Sequence, residues 1–517
     1  MSILKATAIF GSFTFLSRIL GFVRDILMAS ILGAGIVADC FVVAFKLPNF
    51  FRRLFAEGAF SASFVPLFSA TLEKEGKQEA LNFAEEALAG LLVALLGLVG
   101  VMELFTPAVI YVLAGGFADD AAKFSLAVVL TRITFPFILF ISLVSLLGGI
   151  LNALGRFAET AALPIVLNIC LISALVFAQE VLETPAHALA IAVSLAGFLQ
   201  LVLLYMACRK AGYRLHLRWP RLTPRVRELL TIMAPAALGA GVIQLNLMLD
   251  MILASHLPDG SLSFLFYADR LNQLPIGVIG VALGTVLLPL LAREIAAGNE
   301  GQVSANQNRA IEMGLFFTIP AAVAFIIVPY ELIHVLLERN QFTAEDTRQT
   351  ALALAAYAVG LPAYVLAKVF SPGYFARKDT KTPVKFAMVA LMVNLVLNIA
   401  LMIPFKHVGL ALATAISAWV NVALLCTGLI RRGQYRFDRM VLTRLGRYVL
   451  CSLGMGLLVW QLSHLVAPWI AGELSAQLAG LAVLVIGGVA SYVVLAFVVG
   501  AVRRKDLDLL TRRRAVK

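Results

Sequence analysis

Charged side chains are scarce in this sequence. Asp, Glu, Lys and Arg make up only 14% of its 517 residues, and 61% of the residues are hydrophobic. A soluble domain averages roughly a quarter charged residues, and the mean hydropathy here is +0.92. The polar stretches between the apolar runs are too short to form a separate soluble domain. This composition excludes an ordinary soluble enzyme and predicts an integral membrane protein.

Side chains that carry catalysis or hold metals are also few. The five cysteines show no paired or metal-ligand spacing, and the six histidines fall mostly in loops or at the ends of apolar runs. A membrane glycosyltransferase or phosphatase would need carboxylates, or a nucleophile with a base, near a membrane face. The Gly-x-x-x-x-Gly-Lys-Ser/Thr phosphate loop is absent as well. We therefore predict a transporter that is not an enzyme and has no cofactor. The cysteines, expected to be packing residues, are Cys40, Cys170, Cys208, Cys426 and Cys451.

Fourteen apolar segments are long enough to cross a membrane, since the hydrocarbon core requires about 20 residues of helix. The sequence therefore predicts an all-α polytopic membrane protein with fourteen transmembrane helices. The first segment contains Arg18, Arg24 and Asp25 and ends in no small-residue cleavage site, so we expect a retained span and not a signal peptide. The predicted spans are 6–34, 37–68, 82–112, 125–151, 158–179, 186–208, 229–256, 262–293, 311–337, 349–373, 384–404, 408–430, 444–467 and 476–502.

Cations concentrate in alternate loops, as the positive-inside rule requires. The loop after the sixth span has seven cations between Arg209 and Arg227, and further groups follow the twelfth span and close the chain. The intervening loops are poor in cations and partly acidic. This pattern predicts a multi-pass membrane protein with both termini in the cytoplasm. It also explains the net charge of +12 without nucleic-acid binding.

A weak internal repeat runs through the first twelve spans at an offset near 225 residues. Leu47-Pro48 matches Leu274-Pro275, Val65-Pro66-Leu67 matches Leu288-Pro289-Leu290, and Pro136 matches Pro362. Six spans separate the matched members, so we predict two six-helix bundles related by a pseudo-two-fold axis along the membrane normal, plus two extra C-terminal helices. The predicted domains are an N-terminal lobe at 1–220, a C-terminal lobe at 221–440, and helices 13 and 14 with a basic cytoplasmic tail at 441–517. Such repeats usually bind substrate between the bundles.

Ionised side chains lie within the first, second and eighth predicted spans. Each one costs roughly 2.5–3.5 kcal/mol at the centre of a helix on insertion scales, so they should line a hydrated cavity. Arginine keeps its proton, and its planar fork binds phosphate oxygens bidentately, which suits a diphosphate. The candidate site residues are Ser17, Arg18, Arg24 and Asp25 in span 1, Asp39, Lys46, Asn49, Arg52, Arg53 and Glu57 in span 2, and Asp269 and Arg270 in span 8.

Other interpretations of these residues remain open. The arginines can pair with the neighbouring acids, or extend to the cytoplasmic interface, and bind nothing. A multidrug antiporter would need an acidic or aromatic cavity in place of an arginine cluster. A scaffold for other proteins needs only surface patches and is compatible with transport as an additional role.

Several motifs together suggest a family. They are Ser17–Asp25, Ala38-Asp39 with Phe45–Asn49, Arg52–Phe60, Tyr267–Leu271, Gly280–Thr285 and Asp379–Lys385. Over essentially the whole chain the sequence resembles the MurJ/MviN family of the multidrug/oligosaccharidyl-lipid/polysaccharide exporter superfamily. Members often have a glutamate after Asp-Arg-Leu-x, whereas this sequence continues with Asn272-Gln273, which puts a role for an acid there in doubt.

The resemblance implies a flippase that moves lipid II, the undecaprenyl-diphosphate-linked peptidoglycan precursor, from the cytoplasmic to the periplasmic leaflet by alternating access. By matched position, Arg18, Arg24, Arg52 and Arg270 would hold the diphosphate and the adjacent sugar, with Ser17 and Asp39 shaping the cavity. The alternatives are a related exporter of another polyprenyl-diphosphate-linked glycan or a multidrug antiporter of the same superfamily. The implied partners are lipid II, membrane lipids and cell-wall synthesis proteins.

The energy source is either the membrane potential or an ion gradient. Two negative charges moving outward gain about 2.3 kcal/mol each per 100 mV, or roughly 5 kcal/mol. A coupling ion, Na⁺ or H⁺, is also conceivable, because oxygen ligands suit a hard cation; the alternative is that these amides join helices by hydrogen bonds. The resemblance further implies that spans 13 and 14 form a groove for the polyprenyl tail. The candidate cation ligands are Asp250, Asn394, Asn398 and Thr414.

Overall fold

The computed structural model of the protein describes residues 3–53, 60–178 and 181–501, with the backbone alone for residues 3–10, 236–243 and 281. Within these ranges every regular element is a helix. A 3₁₀ helix covers Gly115–Asp119 and a π-helix covers Ile276–Gly280. The α-helices are α1 (Ile3–Leu32), α2 (Ile36–Phe51), α3 (Ser61–Lys74), α4 (Lys77–Leu113), α5 (Ala121–Thr134), α6 (Phe137–Ala153), α7 (Phe157–Ala161), α8 (Leu163–Phe177), α9 (Pro185–Lys210), α10 (Pro224–Ser255), α11 (Ser261–Pro275), α12 (Val281–Ala296), α13 (Glu300–Ile327), α14 (Pro329–Leu337), α15 (Ala344–Val359), α16 (Leu361–Phe375), α17 (Lys381–Arg431), α18 (Arg439–Ile470) and α19 (Leu474–Val498).

Ten helical stretches among the described residues are long and apolar enough to cross a membrane. The prediction of an all-α polytopic membrane protein is therefore confirmed, while the count of fourteen crossings stays a prediction. One of the ten stretches, α17, covers two predicted spans. Its backbone leaves the helical region at Lys406, with φ +50° and ψ −131°, which lies between those two spans. The predicted site residue Glu57 and the basic tail after residue 501 lie outside the described residues.

One compact unit comprises residues 1–263 together with 339–342. Within it α2 packs against α5, α9 packs against α6 and α8, and α1 packs against α8. Phe60, Phe64 and Phe68 stack along one helix face with ring centroids 5.2 and 5.6 Å apart, because residues four apart meet on the same side of a helix. α10 packs against α3 and α4 of this unit, although the predicted lobe boundary at residue 220 assigns it to the C-terminal lobe.

The second unit comprises residues 264–338 and 343–517. Within it α13 contacts α12, α15, α16 and α18, and α18 packs along α19. Glycines allow this close approach: a Cβ added at Gly487 would lie 2.9 Å from Cδ1 of Leu462, and one at Gly456 would lie 2.8 Å from Cγ1 of Val323. Gly456 of α18 and Gly487 of α19 therefore serve helix packing.

Candidate functional site

The first candidate motif contains a buried ion pair between neighbours in α1. Arg24 and Asp25 are only 8% and 6% exposed. The Nε and Nη2 groups of Arg24 donate to Oδ1 of Asp25 at 3.0 and 2.6 Å, and Nη1 donates to Oδ1 of Asn168 in α8 at 2.9 Å. Asn168 in turn donates to the carbonyl oxygen of Ser17 at 3.0 Å. One carboxylate and one amide therefore hold Arg24 in place, while Arg18 lies exposed on the same helix.

The second candidate motif places Arg52 against an amide. The Nε of Arg52 donates to Oδ1 of Asn49 at 3.0 Å, and Asn49 donates to the carbonyl oxygen of Phe45 at 2.8 Å. A neutral amide orients the guanidinium without cancelling its charge. Lys46 and Arg52 are half-buried, whereas Arg53 is exposed.

An apolar cavity of about 440 Å³ lies beside this motif. All of its lining side chains are apolar, so it offers no group that could hold a phosphate. They are Leu47, Phe50, Phe51, Met102, Ala108, Val109, Val112, Leu113 and Met248.

Asp39 occupies a closed polar network and is only 1% exposed. Its Oδ2 accepts the N–H of Gly260 at 2.8 Å, and its Oδ1 accepts the N–H and O–H of Ser263 at 2.9 and 2.7 Å. The Nζ of Lys123 lies 3.8 Å from Asp39 and 2.6 Å from Asp259. In this conformation Asp39 joins segments that are far apart in sequence and lines no open cavity.

Lys123 is a partner that the sequence analysis missed. It is 5% exposed, and its Nζ lies 4.1 Å from the ring centroid of Phe117. In sequence it follows Asp119 and Asp120 just before the fourth predicted span, a pattern that resembles a solvated loop. Only the folded chain brings it to Asp39.

The third candidate motif lies in the second unit, where Asp269 and Arg270 are half-buried. The guanidinium of Arg270 lies 4.5 Å from the ring centroid of Phe266, a cation–π contact. Gln273 donates from Nε2 to Oδ2 of Asp269, one helical turn earlier. The amide that stands where a glutamate is expected thus supplies a hydrogen-bond donor to the neighbouring acid.

Three of the candidate cation ligands are joined by hydrogen bonds. Asn398 donates to Oδ1 of Asn394 at 2.9 Å, and Asn394 donates to Oγ1 of Thr414 at 3.3 Å. These contacts connect the two segments of α17 on either side of Lys406. Asp250 belongs to the other unit. Among the described residues there is no group of three or more His, Cys, Asp or Glu side chains that could hold a metal ion.

Comparison with known proteins identifies the family. A family model described as "Lipid II flippase MurJ" matches residues 28–480. A relative from Rhizobium tropici, described as "Probable lipid II flippase MurJ", is 42% identical, and the match covers 99% of this chain and 96% of the relative. The chain belongs to the lipid II flippase MurJ family. A relative from Rhizobium meliloti with the same description is 40% identical over 100% of this chain and 97% of its own.

Solved structures of a MurJ protein and of a more distant transporter are similar to this chain. One described as "Lipid II flippase MurJ, inward closed conformation" is 28% identical with a TM-score of 0.81, and covers 96% of this chain and 99% of its own. An inward-facing multidrug MATE transporter of the MOP superfamily has a TM-score of 0.67 at 14% identity, and covers 82% and 98% of the two chains. The second likeness shows the fold alone.

A second cation that the sequence analysis missed lies beside a motif used to recognise the MurJ family. Lys368 interrupts the apolar helix α16, and its side-chain stem lies against Gly280 and Gly284. A Cβ at Gly280 would lie only 2.8 Å from Cδ of Lys368, and one at Gly284 would lie 3.9 Å from its Cβ. Since the glycines are four apart, they share one helix face. Gly280 therefore makes room for the lysine stem, whereas a side chain at position 284 would be in ordinary van der Waals contact. A lone lysine within an apolar run was the available signal.

Proposed function

We propose that this protein is a flippase that moves lipid II from the cytoplasmic to the periplasmic leaflet by alternating access. The observation that carries the proposal is the full-length match to a family whose members are described as lipid II flippases. Lipid II joins an anionic diphosphate to a long apolar tail. The transported head group therefore needs cationic partners inside an otherwise apolar helical protein.

We further propose that Arg18, Arg24, Arg52 and Arg270 bind the diphosphate and the adjacent sugar. A guanidinium has five N–H donors, and three of those on Arg24 are taken by Asp25 and Asn168. Two N–H groups of Arg24 thus have no partner among the described residues. They suit bidentate contact with a phosphate, once a conformational change admits the head group to this nearly sealed position.

The remaining polar residues of the predicted site have supporting roles in this proposal. Asn49 orients Arg52, and Lys46 and Arg53 add positive charge on the same helix. Asp25 keeps Arg24 in place between transport cycles. Asp269 accepts a hydrogen bond from Gln273 of the same helix. Lys368, on α16 of the second unit, adds a further cation to that unit.

For the architecture, we propose fourteen membrane crossings in two six-helix repeats with a pseudo-two-fold axis along the membrane normal. Left-handed backbone positions support the repeat, since they recur at offsets of 221 to 227 residues: Gly33 with Gly260, Gly76 with Gly298, Gly155 with Lys378, and Gly212 with Gly433. A positive φ disfavours most side chains and is uncommon. Four pairs of such residues at nearly the same offset therefore support an internal repeat. It also supports lobes at 1–220 and 221–440, followed by helices 13 and 14 at 441–517.

The topology follows from the distribution of positive charge. We propose the bacterial inner membrane as the location, with both termini in the cytoplasm, because the cation-rich loops follow the sixth and twelfth predicted spans. The membrane potential then favours outward movement of a diphosphate by roughly 5 kcal/mol per 100 mV. The second energy source in this proposal is a Na⁺ or H⁺ gradient, with the coupling ion bound by Asp250, Asn394, Asn398 and Thr414. The hydrogen bonds among the last three would have to rearrange to coordinate an ion.

The polyprenyl tail is proposed to follow a groove formed by α18 and α19. The glycines of these helices are used in packing, so the groove would be lined by their exposed apolar side chains. These include Leu453, Leu457, Val489 and Val494, which are 59%, 57%, 61% and 59% exposed.

Depletion of the native protein with complementation tests the function and the arginine site together. Arg18→Ala and Arg270→Ala remove a cation, and Arg24→Lys keeps the charge but loses the planar fork. The matched control is Arg293→Ala, whose side chain is 76% exposed at the end of α12. We expect the three site variants, at normal membrane levels, to stop lipid II from reaching the periplasmic face, and the control to transport normally.

Two outcomes would contradict different parts of the proposal. Full translocation by all three site variants would remove the arginine assignment while leaving the flippase function intact. Failure of the native chain itself to restore lipid II at the periplasmic face would contradict the function.

A further inference from the structure

Residues 213–223 join α9 to α10 without regular secondary structure, and we call this segment the linker strap. It begins after Gly212, whose φ of +83° turns the chain out of α9. Tyr213 and Leu215 are buried against the core of the first unit, whereas Arg214 and His216 are exposed. This alternation of buried and exposed side chains is typical of an extended backbone, in which successive side chains point to opposite sides.

A buried acid of α4 fastens the middle of the strap. Glu85 is only 3% exposed. Its Oε1 accepts the backbone N–H of His216 at 3.0 Å, and its Oε2 lies 2.6 Å from Nε of Arg218. Arg218 also donates to Oδ1 of Asn82 at 2.9 Å. One backbone hydrogen bond and one ion pair to the same buried carboxylate therefore hold the middle of the strap against α4.

The end of the strap and the start of α10 are fastened in the same way. Thr223 donates to Oε2 of Glu86 at 2.8 Å, and Arg225 donates to Oε2 of Glu79 at 3.0 Å and to Glu75. The acidic face at the start of α4 therefore compensates Arg218 and Arg225. The strap is an ordered part of the first unit and is not a loose loop.

The outer side of the strap combines exposed apolar groups with uncompensated cations. Leu217, Trp219 and Leu222 are 69%, 86% and 67% exposed. Arg214 and Arg221 are exposed and make no hydrogen bond or ion pair with the described residues. Fastening to α4 thus uses other side chains and leaves these five directed outward.

The length of the helix before the strap indicates where the strap lies relative to a membrane. The strap starts directly after α9 and ends directly before α10, which have 26 and 32 residues. At about 1.5 Å per residue, α9 is roughly 39 Å long, whereas the hydrocarbon core is about 30 Å thick. A segment that begins at the end of α9, a helix long and apolar enough to cross a membrane, is therefore expected near the phospholipid head groups.

We propose that the linker strap binds anionic phospholipid head groups of the leaflet next to it. Trp219 enters the interfacial layer with Leu217 and Leu222, where tryptophan is enriched in membrane proteins. Arg214 and Arg221 bind lipid phosphates. An amphipathic cationic segment of this kind gains from both apolar contact and charge. The proposal depends on the protein spanning a membrane, and in the topology proposed above the leaflet is cytoplasmic.

The test uses the full chain with Trp219 as its single tryptophan, made by Trp419→Phe, Trp460→Phe and Trp469→Phe. The purified protein is placed in nanodiscs of phosphatidylcholine, alone or mixed with phosphatidylglycerol. The measurements are the emission maximum of Trp219, its quenching by aqueous acrylamide, and its quenching by phospholipids brominated near the head group or near the end of the acyl chain.

We expect blue-shifted emission, stronger quenching by the shallow bromines than by the deep ones, and protection from acrylamide that increases with phosphatidylglycerol. The double variant Arg214→Gln, Arg221→Gln should lose most of that increase, since one cation near an anionic surface changes the partition constant roughly fivefold. Arg436→Gln, at an exposed arginine in the loop after α17, is the matched control and should behave like the parent.

Two results would overturn the proposal. Water-like emission of Trp219, with full acrylamide access and no bromine quenching in both membranes, would show that the strap faces the aqueous phase and is free to bind an acidic protein instead. Equal protection of Trp219 from acrylamide in the presence and absence of phosphatidylglycerol would contradict the binding of anionic lipid. Because no readout involves lipid II, either failure leaves the flippase proposal untouched.

Discussion

Replacing Asp39 by asparagine should destabilise the first unit strongly. All four groups directed at this carboxylate are donors: the N–H of Gly260, the N–H and O–H of Ser263, and the ammonium of Lys123. Asparagine has the same shape, so no cavity forms. Its single oxygen, however, can satisfy only one side of the network, and its NH₂ group must face another donor.

The expected loss follows from burial. A donor left unsatisfied in the interior costs about 1–3 kcal/mol, and a lost hydrogen bond to a charged group costs about 1.5–3 kcal/mol. Breaking a buried charged contact by changing one partner typically costs about 3–5 kcal/mol in total. We therefore expect Asp39→Asn to lower the free energy of unfolding by about 3–5 kcal/mol.

The assay is SDS titration of the purified protein in mixed micelles, followed by circular dichroism. Asp259→Asn is the matched control, because Asp259 contacts the same lysine but is 57% exposed. Solvent screening should limit its loss to about 1 kcal/mol. The hydrogen bonds from Gly260 and Ser263 to Asp39, and not only the ion pairs of Lys123, should stabilise this part of the first unit. Equal unfolding midpoints for the two variants would refute that idea.

Two further predictions concern the second unit. Hydrogen bonds from the side chain of Thr382 and from Arg432 hold the pKa of Asp379 below its usual value, so this carboxylate stabilises the fold above about pH 4 and the stabilisation is lost on acidification. The unfolding midpoint of Asp379→Asn should therefore depend less on pH between neutral and acidic conditions than that of the parent, and parallel curves would contradict this. Gly280→Ala should cost at most about 1 kcal/mol, because only the flexible outer part of the exposed Lys368 side chain has to shift and alanine favours the helix over glycine. In a Lys368→Ala background the same change should cost much less, and equal losses in SDS titration would exclude that contact.

Much of the helical framework was predictable because it depends on local properties of the chain. A membrane span needs about 20 consecutive apolar residues, and this signal can be recognised without knowledge of the neighbouring helices. Ten helical stretches among the described residues satisfy it. The turn within α17 at Lys406 also falls where the apolar runs 384–404 and 408–430 are interrupted. Family membership was equally accessible, since the motifs around Arg24 and Arg270 are short stretches of sequence.

The partners of the site residues were much less predictable. Asp25 is adjacent to Arg24 in sequence, but Asn168 is 144 residues away. Lys123 and Lys368 were missed because one precedes a predicted span and the other is a single cation in an apolar run. Each becomes informative only when a second helix lies against it.

The amino-acid sequence alone thus determined the class of protein, the apolar helices and the family, because composition and hydrophobic run length act locally. Only the tertiary structure decided that Asp39 is sealed by donors from distant segments, that Asn168 and Asp25 hold Arg24, and that Glu85 fastens the linker strap. Hydrogen bonds and ion pairs act over about 3 Å, and the chain must fold before residues more than a hundred positions apart come within that distance.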